Sequence, residues 1–324
     1  MTRVTAPSRL HFGLLSLPAA GRDRWPGLDG DPGQPARHFG GVGLMVDRPG
    51  LVVGVEPATD WSATGPLADR ALAFARRVDD SLPAGERRPF RVVVESAPAE
   101  HTGLGVGTQL GLAVARAIAV ESGHDWPATE LATRAGRGER SAIGVHGFAA
   151  GGLIVEGGKR PGEAVSPLVG RYAVPAEWAI LLVTPPAAAD WYGGRERQAF
   201  ARLSALGPGP AETDTLCRVV LTGIVPAVVS ADLDAFGEAV YEFNARVGDV
   251  FAPAQGGRYA SPAVADIVRR LRARGVRGVG QSSWGPTVFG ITRRPEAEAV
   301  AREFAPAVVA GASTGASVAR ASGV

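Results

Sequence analysis

The chain has 324 residues, with 34 basic against 32 acidic side chains, 44 glycines, 25 prolines and one cysteine. A lone Cys217 excludes a disulfide framework and a cysteine-rich zinc module, and near-balanced charge with a 45% hydrophobic share excludes an extended disordered chain. No apolar run reaches the roughly 18 residues of a membrane-spanning helix, and the glycines keep no period of three.

The first half reads as strands broken by glycine. Arg9–Leu15, Val42–Val46 and Leu51–Glu56 are short apolar or alternating runs, and Pro18–Pro35, rich in Gly, Pro and Asp, is expected as a surface loop. Leu10–Leu17 is interrupted by His11 and Gly13 and has no leader character, so a cytoplasmic protein is expected. Leu67–Leu82 carries apolar residues at helical spacing and stops before Pro83. Phe90–Glu95 is predicted as a strand, Thr108–Glu121 and Ala128–Ala135 as helices, and Gly152–Glu156 as a strand.

The texture then changes. Trp178–Thr184 is a continuous apolar strand, followed by helical segments at Arg195–Leu206, Thr213–Val229, Asp232–Val247 and Ser261–Arg274. Asp232 has the character of an N-cap, with Phe236 and Val240 facing inward, while Cys217 is expected to pack in the core. Pro286–Thr292 is a strand and Pro295–Phe304 a helix, before a glycine-rich tail of strand or coil. Strands and helices alternate without strict βαβ repetition, so the expected class is α+β. The composition shift between Gly157 and Gly170 suggests two domains, 1–165 and 166–324. The arginines are scattered, and clusters such as Arg269–Arg274 read as solvated helix faces, so neither a nucleic acid nor a membrane is expected as partner.

The most informative stretch is His101-Thr-Gly-Leu-Gly-Val-Gly-Thr-Gln109, between a strand and a helix. Alternate glycines let the backbone approach a ligand closely, and the first helical turn leaves N–H groups pointing at the loop. With the positive end of the helix dipole, that is a phosphate or pyrophosphate site, to which Thr108 and Gln109 add donors. A Walker loop is excluded, because the one lysine, Lys159, is far away in sequence. The dinucleotide fingerprint fails at Thr108, where glycine or alanine belongs.

This loop resembles the phosphate loop of the GHMP kinase superfamily. Ala6-Pro-Ser-Arg-Leu-His-Phe-Gly13 resembles that superfamily's first motif, and Gly278-Val-Gly-Gln-Ser-Ser-Trp-Gly-Pro-Thr287 its third. Together with Gly136-Arg-Gly-x-Arg-Ser-x-Ile-Gly-x-His-Gly-Phe148, the set is similar to the β-ribofuranosylaminobenzene 5′-phosphate synthase family, over residues 3 to about 290. The resemblance implies two α+β domains with the ligand cleft between them. It implies condensation of phosphoribosyl pyrophosphate with 4-aminobenzoate or 4-hydroxybenzoate, loss of pyrophosphate and carbon dioxide, and a place in methanopterin biosynthesis. It further implies magnesium carried with the pyrophosphate, no protein-held metal, no ATP, and a homodimer.

Two positions depart from superfamily patterns. Gly144 stands where kinases commonly carry an acidic base, which removes a usual participant in phosphoryl transfer. Val106 stands where a metal-coordinating serine is common. An ATP-dependent kinase and a non-catalytic phosphoribosyl pyrophosphate binder remain open as alternatives.

The implied reaction requires donors for the leaving group and an aromatic carbon held near ribose C1. Arg137 and Arg140, in a glycine-flanked turn, suit forked anion contacts, and His146 is a candidate acid or donor. Arg9 and His11 alternate with Leu10 and Phe12 and so share one strand face. Gln281, Ser282 and Ser283 offer a second anion cradle, with Trp284 to stack on an aromatic ring. Glu196 lies in a Gly-x-Arg-Glu segment resembling one in the family. The expected catalytic set is thus His146, Arg137, Arg140 and Glu196. The expected binding set is Arg9, His11, Gly103, Leu104, Gly105, Gly107, Thr108, Gln109, Ser141, Gln281, Ser282, Ser283 and Trp284.

Overall fold

In the computed structural model, which describes residues 1–17, 37–185 and 210–320, the glycine-bounded runs of the first half assemble into one sheet. β1 (Thr2–Ser16) and β2 (Phe39–Pro57) pair antiparallel along most of their length. The two runs expected at Val42–Val46 and Leu51–Glu56 are therefore one strand, with a register shift opposite Ala6–Ser8 where Asp47–Gly50 interrupts the apolar pattern. β3 (Ser62–Thr64), β4 (Phe90–Ser96), β5 (Leu153–Glu156), β6 (Leu168–Tyr172) and β11 (Ser317–Arg320) complete a seven-stranded sheet. Its main path runs β11-β1-β2-β4-β3, with β5 beside the first half of β2 and β6 outside β5.

One face of this sheet is covered by α1 (Ala68–Asp80), α2 (Val106–Glu121), α3 (Ala128–Ala135) and α4 (Ile143–Ala150). Alanines 71, 75, 113, 115 and 117 are buried in that layer, where small side chains allow close approach to Val53, Val55 and Val92. The helix expected at Thr108–Glu121 is α2, which begins two residues earlier, directly after the second glycine of the loop. α4 was not among the expected elements, because two glycines in Ile143–Phe148 lower helix propensity. Burial of Ile143, Val145 and Phe148 compensates.

The second sheet, in the order β10-β7-β9-β8, is antiparallel throughout and contains β7 (Trp178–Val183), β8 (Gly278–Gln281), β9 (Val288–Arg293) and β10 (Ala307–Ala310). α5 (Pro210–Val219) passes through a π turn at Val220–Ile224 into α6 (Val225–Val229), followed by α7 (Leu233–Gln255), α8 (Pro262–Ala273) and α9 (Arg294–Arg302). Asp232 caps α7 as expected: its Oδ1 accepts the Ala235 N–H at 2.9 Å. The expected core position of Cys217 is overturned, since it is exposed. The inward stripe is Thr213, Leu216 and Val220, and Leu221, one turn from Cys217 on its side, is 72% exposed. The expected loop at Pro18–Pro35 and helix at Arg195–Leu206 lie outside the described residues.

A continuous apolar cluster joins the two sheets through Leu10, Phe12 and Val42 on one side and Trp178, Phe236, Phe243 and Phe289 on the other. The Phe12 and Phe289 rings lie 4.9 Å apart, as do those of Trp178 and Phe236. This shared core fixes the sheets relative to each other, and a cleft opens at its edge. The class is α+β, as expected. Among the described residues no helix is long and apolar enough to cross a membrane.

Candidate active site

The cleft forms where three glycine-rich segments, far apart in sequence, meet on β1. The Arg9 N–H donates to the Leu104 carbonyl at 2.9 Å, and the Ser283 N–H donates to the His11 carbonyl at 2.9 Å. The His11 N–H donates to Ser282 Oγ at 3.0 Å, and that hydroxyl donates to the Gly103 carbonyl at 2.7 Å. The Thr287 N–H closes the set on the Thr102 carbonyl at 3.2 Å. A register shift between His11 and Gly13 interrupts the ladder beside the site, where a bulge redirects side chains. Gly105 occupies the N-cap of α2 at φ +71°, so the loop turns directly into the first helical turn.

The resulting cavity, of about 500 Å³, is lined by Arg9, Arg70, Arg137, Arg140 and Arg258, with Glu139 as the one carboxylate among the described residues. His11, His101, Thr108 and Ser141 line it as well. Phe251, Val247 and Trp284 add apolar surface, the Phe251 and Trp284 rings meeting edge to face at 4.9 Å. Arg137 donates to Thr108 Oγ1 at 3.2 Å, which ties the α3–α4 loop to the start of α2. Arg70 pairs with Glu100, and Arg258 holds Asp249 through two 2.8 Å contacts, so both guanidiniums are oriented before any ligand arrives.

Arg9, His11, Thr108, Arg137, Arg140, Ser141, Gln281, Ser283 and Trp284, all expected from sequence, line this cleft. Gly103, Leu104, Gly105, Gly107, Gln109 and Ser282 are not among the lining residues and shape it from behind. Ser282 and the Gly103 and Leu104 carbonyls join the segments, and Gln109 Nε2 donates to the Gly144 carbonyl at 2.9 Å. A side chain at Gly107 would run into the Arg70 guanidinium, 2.2 Å from its Cβ. His146 is not among the lining residues: its Nε2 lies 2.7 Å from the Ser166 carbonyl. Glu196 lies outside the described residues.

Sequence reasoning missed Arg70, Phe251, Arg258, Asn244 and Glu156. Asn244 sits on the inward stripe of α7 defined by Phe236 and Val240, four residues on, so its register was readable. Its Nδ2 donates to the Phe12 and Gln281 carbonyls at 2.7 and 2.9 Å, and its Oδ1 accepts the Gln281 N–H at 2.9 Å. It therefore joins β1, β8 and α7 beneath the cleft. Asn244→Leu leaves three buried backbone groups unpaired and is expected to lower unfolding free energy by about 2–4 kcal/mol, measured by urea titration.

Glu156 ends the buried strand β5 and is itself fully buried. Its carboxylate accepts the Ser141 hydroxyl at 2.7 Å and the Ala142 N–H at 2.8 Å. Ser141 Oγ also lies 3.1 Å from His11 Nε2. Burial pushes the Glu156 carboxyl above its ordinary range, while burial and then the Arg9 charge push His11 well below its own.

Among the described residues no group of three His, Cys, Asp or Glu side chains could hold a metal ion. The arginines, the loop and the α2 N-terminus together have the charge and the N–H donors that suit a polyanion.

Comparison with known proteins bears on the family and the fold. Residues 224–311 match the family described as GHMP kinases C terminal. The chain is 33% identical over 311 residues to the β-ribofuranosylphenol 5′-phosphate synthase of Methanothermobacter thermautotrophicus, covering 89% of this chain and 88% of that protein. Its fold is similar to that of a homoserine kinase from Cytophaga hutchinsonii (TM-score 0.64, 16% identity, 98% and 97% of the two chains). It is equally similar to a mevalonate pyrophosphate decarboxylase from Streptococcus pyogenes (TM-score 0.65, 12% identity, 97% of each chain).

Proposed function

The chain belongs to the β-ribofuranosylphenol 5′-phosphate synthase family, and we propose that it transfers the phosphoribosyl group of phosphoribosyl pyrophosphate to 4-hydroxybenzoate with loss of carbon dioxide, in methanopterin biosynthesis. The product is a ribofuranosylphenol 5′-phosphate joined through carbon. The observation that carries this reading is an arginine-lined cleft that places a glycine loop and a helix N-terminus beside an aromatic wall.

The chemistry divides between the two sides of the cleft. Pyrophosphate leaves ribose C1 with the C–O electron pair, and Arg137, Arg140 and Thr108 stabilise the charge as it develops. Arg9 and Arg70 serve the remaining phosphate. The aromatic acid packs on Trp284 and Phe251, which hold the ring carbon bearing the carboxylate against C1. That carbon attacks C1, and carbon dioxide departs, returning its electron pair to the ring. Magnesium, on this reading, arrives with the pyrophosphate rather than on protein ligands. We place the enzyme in the cytoplasm as a homodimer on the strength of the family resemblance.

Phosphoryl transfer from ATP is the rival reading. At Gly144, where kinases commonly carry an acidic base, a Cβ would stand 3.0 Å from Gln109 Nε2 and 3.3 Å from Thr108. The missing carboxylate at this position supports decarboxylative transfer over a kinase. Purified protein with phosphoribosyl pyrophosphate and carboxyl-labelled 4-hydroxybenzoate should release labelled carbon dioxide and pyrophosphate in equal amounts. ATP consumption without carbon dioxide release would transfer the protein to the kinases.

Trp284→Ala is expected to raise KM for the aromatic acid about 5- to 30-fold, the loss of a ring contact of about 1–2 kcal/mol. KM for phosphoribosyl pyrophosphate should move little, and steady-state kinetics with each substrate varied in turn separates the two.

A further inference from the structure

In this transfer the phenol proton needs a destination. A phenolate ring carbon is a far stronger nucleophile than that of the neutral phenol, so attack at C1 is assisted by removal of this proton. The ring oxygen must regain it after decarboxylation. The cleft wall contains a hydrogen-bonded chain that the transfer chemistry does not otherwise use: His11, Ser141 and Glu156, from β1, the loop before α4, and β5.

We propose that Glu156 is the terminal proton acceptor of a His11–Ser141–Glu156 relay, which takes the phenol proton of 4-hydroxybenzoate before attack and returns it after carbon dioxide leaves. This rests on the proposed function, and it specifies a hydroxy rather than an amino aromatic acid.

The direction of each hydrogen bond follows from its partners. Glu156 receives donors on both oxygens, the Ser141 hydroxyl on Oε1 and the Ala142 N–H on Oε2, so it is held as a carboxylate. Since the serine proton points to Glu156, His11 Nε2 must donate to Ser141 Oγ. Nδ1 is then the lone-pair nitrogen of a histidine that lines the cleft. Substrate O–H breaks as Nδ1–H forms, Nε2–H passes to Ser141 Oγ, and the serine proton passes to Glu156 Oε1. After decarboxylation the ring is a phenolate, and the three transfers reverse. No net proton is gained or lost.

The surroundings suit both ends. Burial and then the neighbouring Arg9 charge keep His11 neutral at neutral pH, so one ring nitrogen holds a lone pair that can accept a proton and the other an N–H that can pass one on. Burial raises the proton affinity of Glu156, so a proton can rest there. The titratable and charged groups that share the cavity with His11 are Arg9, Arg70, His101, Arg137, Glu139, Arg140 and Arg258, and His146 lies beside Glu156. The acidic limb of kcat should therefore fall below about pH 6.5, the ordinary histidine value.

Glu156→Gln keeps the shape of the side chain but offers Ser141 an amide N–H, while its oxygen serves Ala142. Ser141 then donates to His11 Nε2, and the ring proton moves to Nδ1. kcat with 4-hydroxybenzoate is expected to drop about 10²- to 10⁴-fold, within the range for a lost general base or a wrong histidine tautomer. KM for phosphoribosyl pyrophosphate should stay within a few-fold. With 3,5-difluoro-4-hydroxybenzoate, whose phenol is already ionised at neutral pH, the same variant should fall less than about tenfold below wild type. Ser141→Ala should behave alike and serves if Glu156→Gln does not fold; Ser141→Thr, which keeps the hydroxyl, should recover most of the rate.

The tautomer is read directly by ¹⁵N-histidine NMR, with His11 assigned by its loss in His11→Asn. Nε2–H in wild type and Nδ1–H in Glu156→Gln is the expected pair. An unchanged tautomer, or equal kcat losses on both aromatic acids, overturns the relay. A wild-type protein that shows the expected tautomers but turns over neither acid overturns the transfer reaction and leaves the hydrogen-bonded chain standing.

Discussion

Arg137→Ala is expected to lower kcat/KM for phosphoribosyl pyrophosphate about 10²- to 10³-fold while leaving the fold intact. Arg137 reaches the cleft from the loop between α3 and α4 and donates to Thr108 Oγ1 in the first turn of α2. It thus sits at the place where loop, helix N-terminus and cation act on one anion. Pyrophosphate gains charge as the C1–O bond breaks, so a guanidinium fixed there acts more strongly in the transition state than in the ground state. Losing one such donor costs about 2.7–4 kcal/mol in comparable anion holes. The position lies outside the main apolar clusters, so the thermal midpoint should shift little. Arg137→Lys should recover only part of the rate, because an ammonium lacks the planar fork. Initial rates over a range of phosphoribosyl pyrophosphate concentrations, beside a thermal melt, check both halves of the expectation. A rate within a few-fold of wild type would move the leaving-group site elsewhere.

Gly103→Ala should cause the largest combined loss of stability and activity among single-atom changes to the loops. The residue sits at φ +87°, and an added Cβ would stand 2.3 Å from the Ser282 carbonyl oxygen. That neighbour is backbone and cannot swing aside. Positive φ costs an L residue about 1–2 kcal/mol, and overpacking a further 1–3 kcal/mol, so a loss of about 2–5 kcal/mol is expected. Relief would come from separating the loops, which would pull Ser282 Oγ from the Gly103 carbonyl and release its hold on the His11 N–H. Activity should therefore fall even at temperatures where the variant is folded. Gly85→Ala is the control: nothing lies within 4 Å of its added Cβ, and stability should be unchanged or slightly raised. Urea unfolding of both variants, with activity at a temperature well below either midpoint, tests the claim.

Much of the site was legible because its motifs are backbone devices. Alternating glycines before a helix have few uses other than close approach of an anion to N–H groups. Alternation along β1 placed Arg9 and His11 on one face without knowledge of any partner. What could not be read was which way side chains turn in irregular backbone. His146 and Arg137 belong to the same glycine-flanked stretch. Only burial of Ile143, Val145 and Phe148 turned that stretch into α4, and with it His146 away from the cleft.

Other residues left weaker signals. Glu156 closes the otherwise apolar run Leu153-Ile-Val, and a charge that continues a fully buried strand must find partners. Asn244 follows Phe236 and Val240 on the inward face of its helix, where an amide signals a buried hydrogen-bonding role. Cys217 lies between Leu216 and Val220, but the buried stripe through Thr213, Leu216 and Val220 passes it by one position and leaves it exposed beside Leu221. Arg70 and Arg258 gave no signal, since long exposed-looking arginines on helix faces and turns are ordinary in sequence. The fold corrected β2 for a related reason: the polar break at Asp47–Gly50 ends an apolar pattern but leaves the strand's backbone pairing to resume beyond it.

The most direct test of decarboxylative phosphoribosyl transfer is the bond it makes. The protein is incubated with magnesium, phosphoribosyl pyrophosphate labelled with ¹³C at ribose C1, and 4-hydroxybenzoate labelled with ¹³C at the ring carbon bearing the carboxyl. The expected product has lost its carboxyl group and shows a one-bond ¹³C–¹³C coupling between ribose and ring. A product that keeps its carboxyl and joins through oxygen, or one that forms only with ATP, would contradict it.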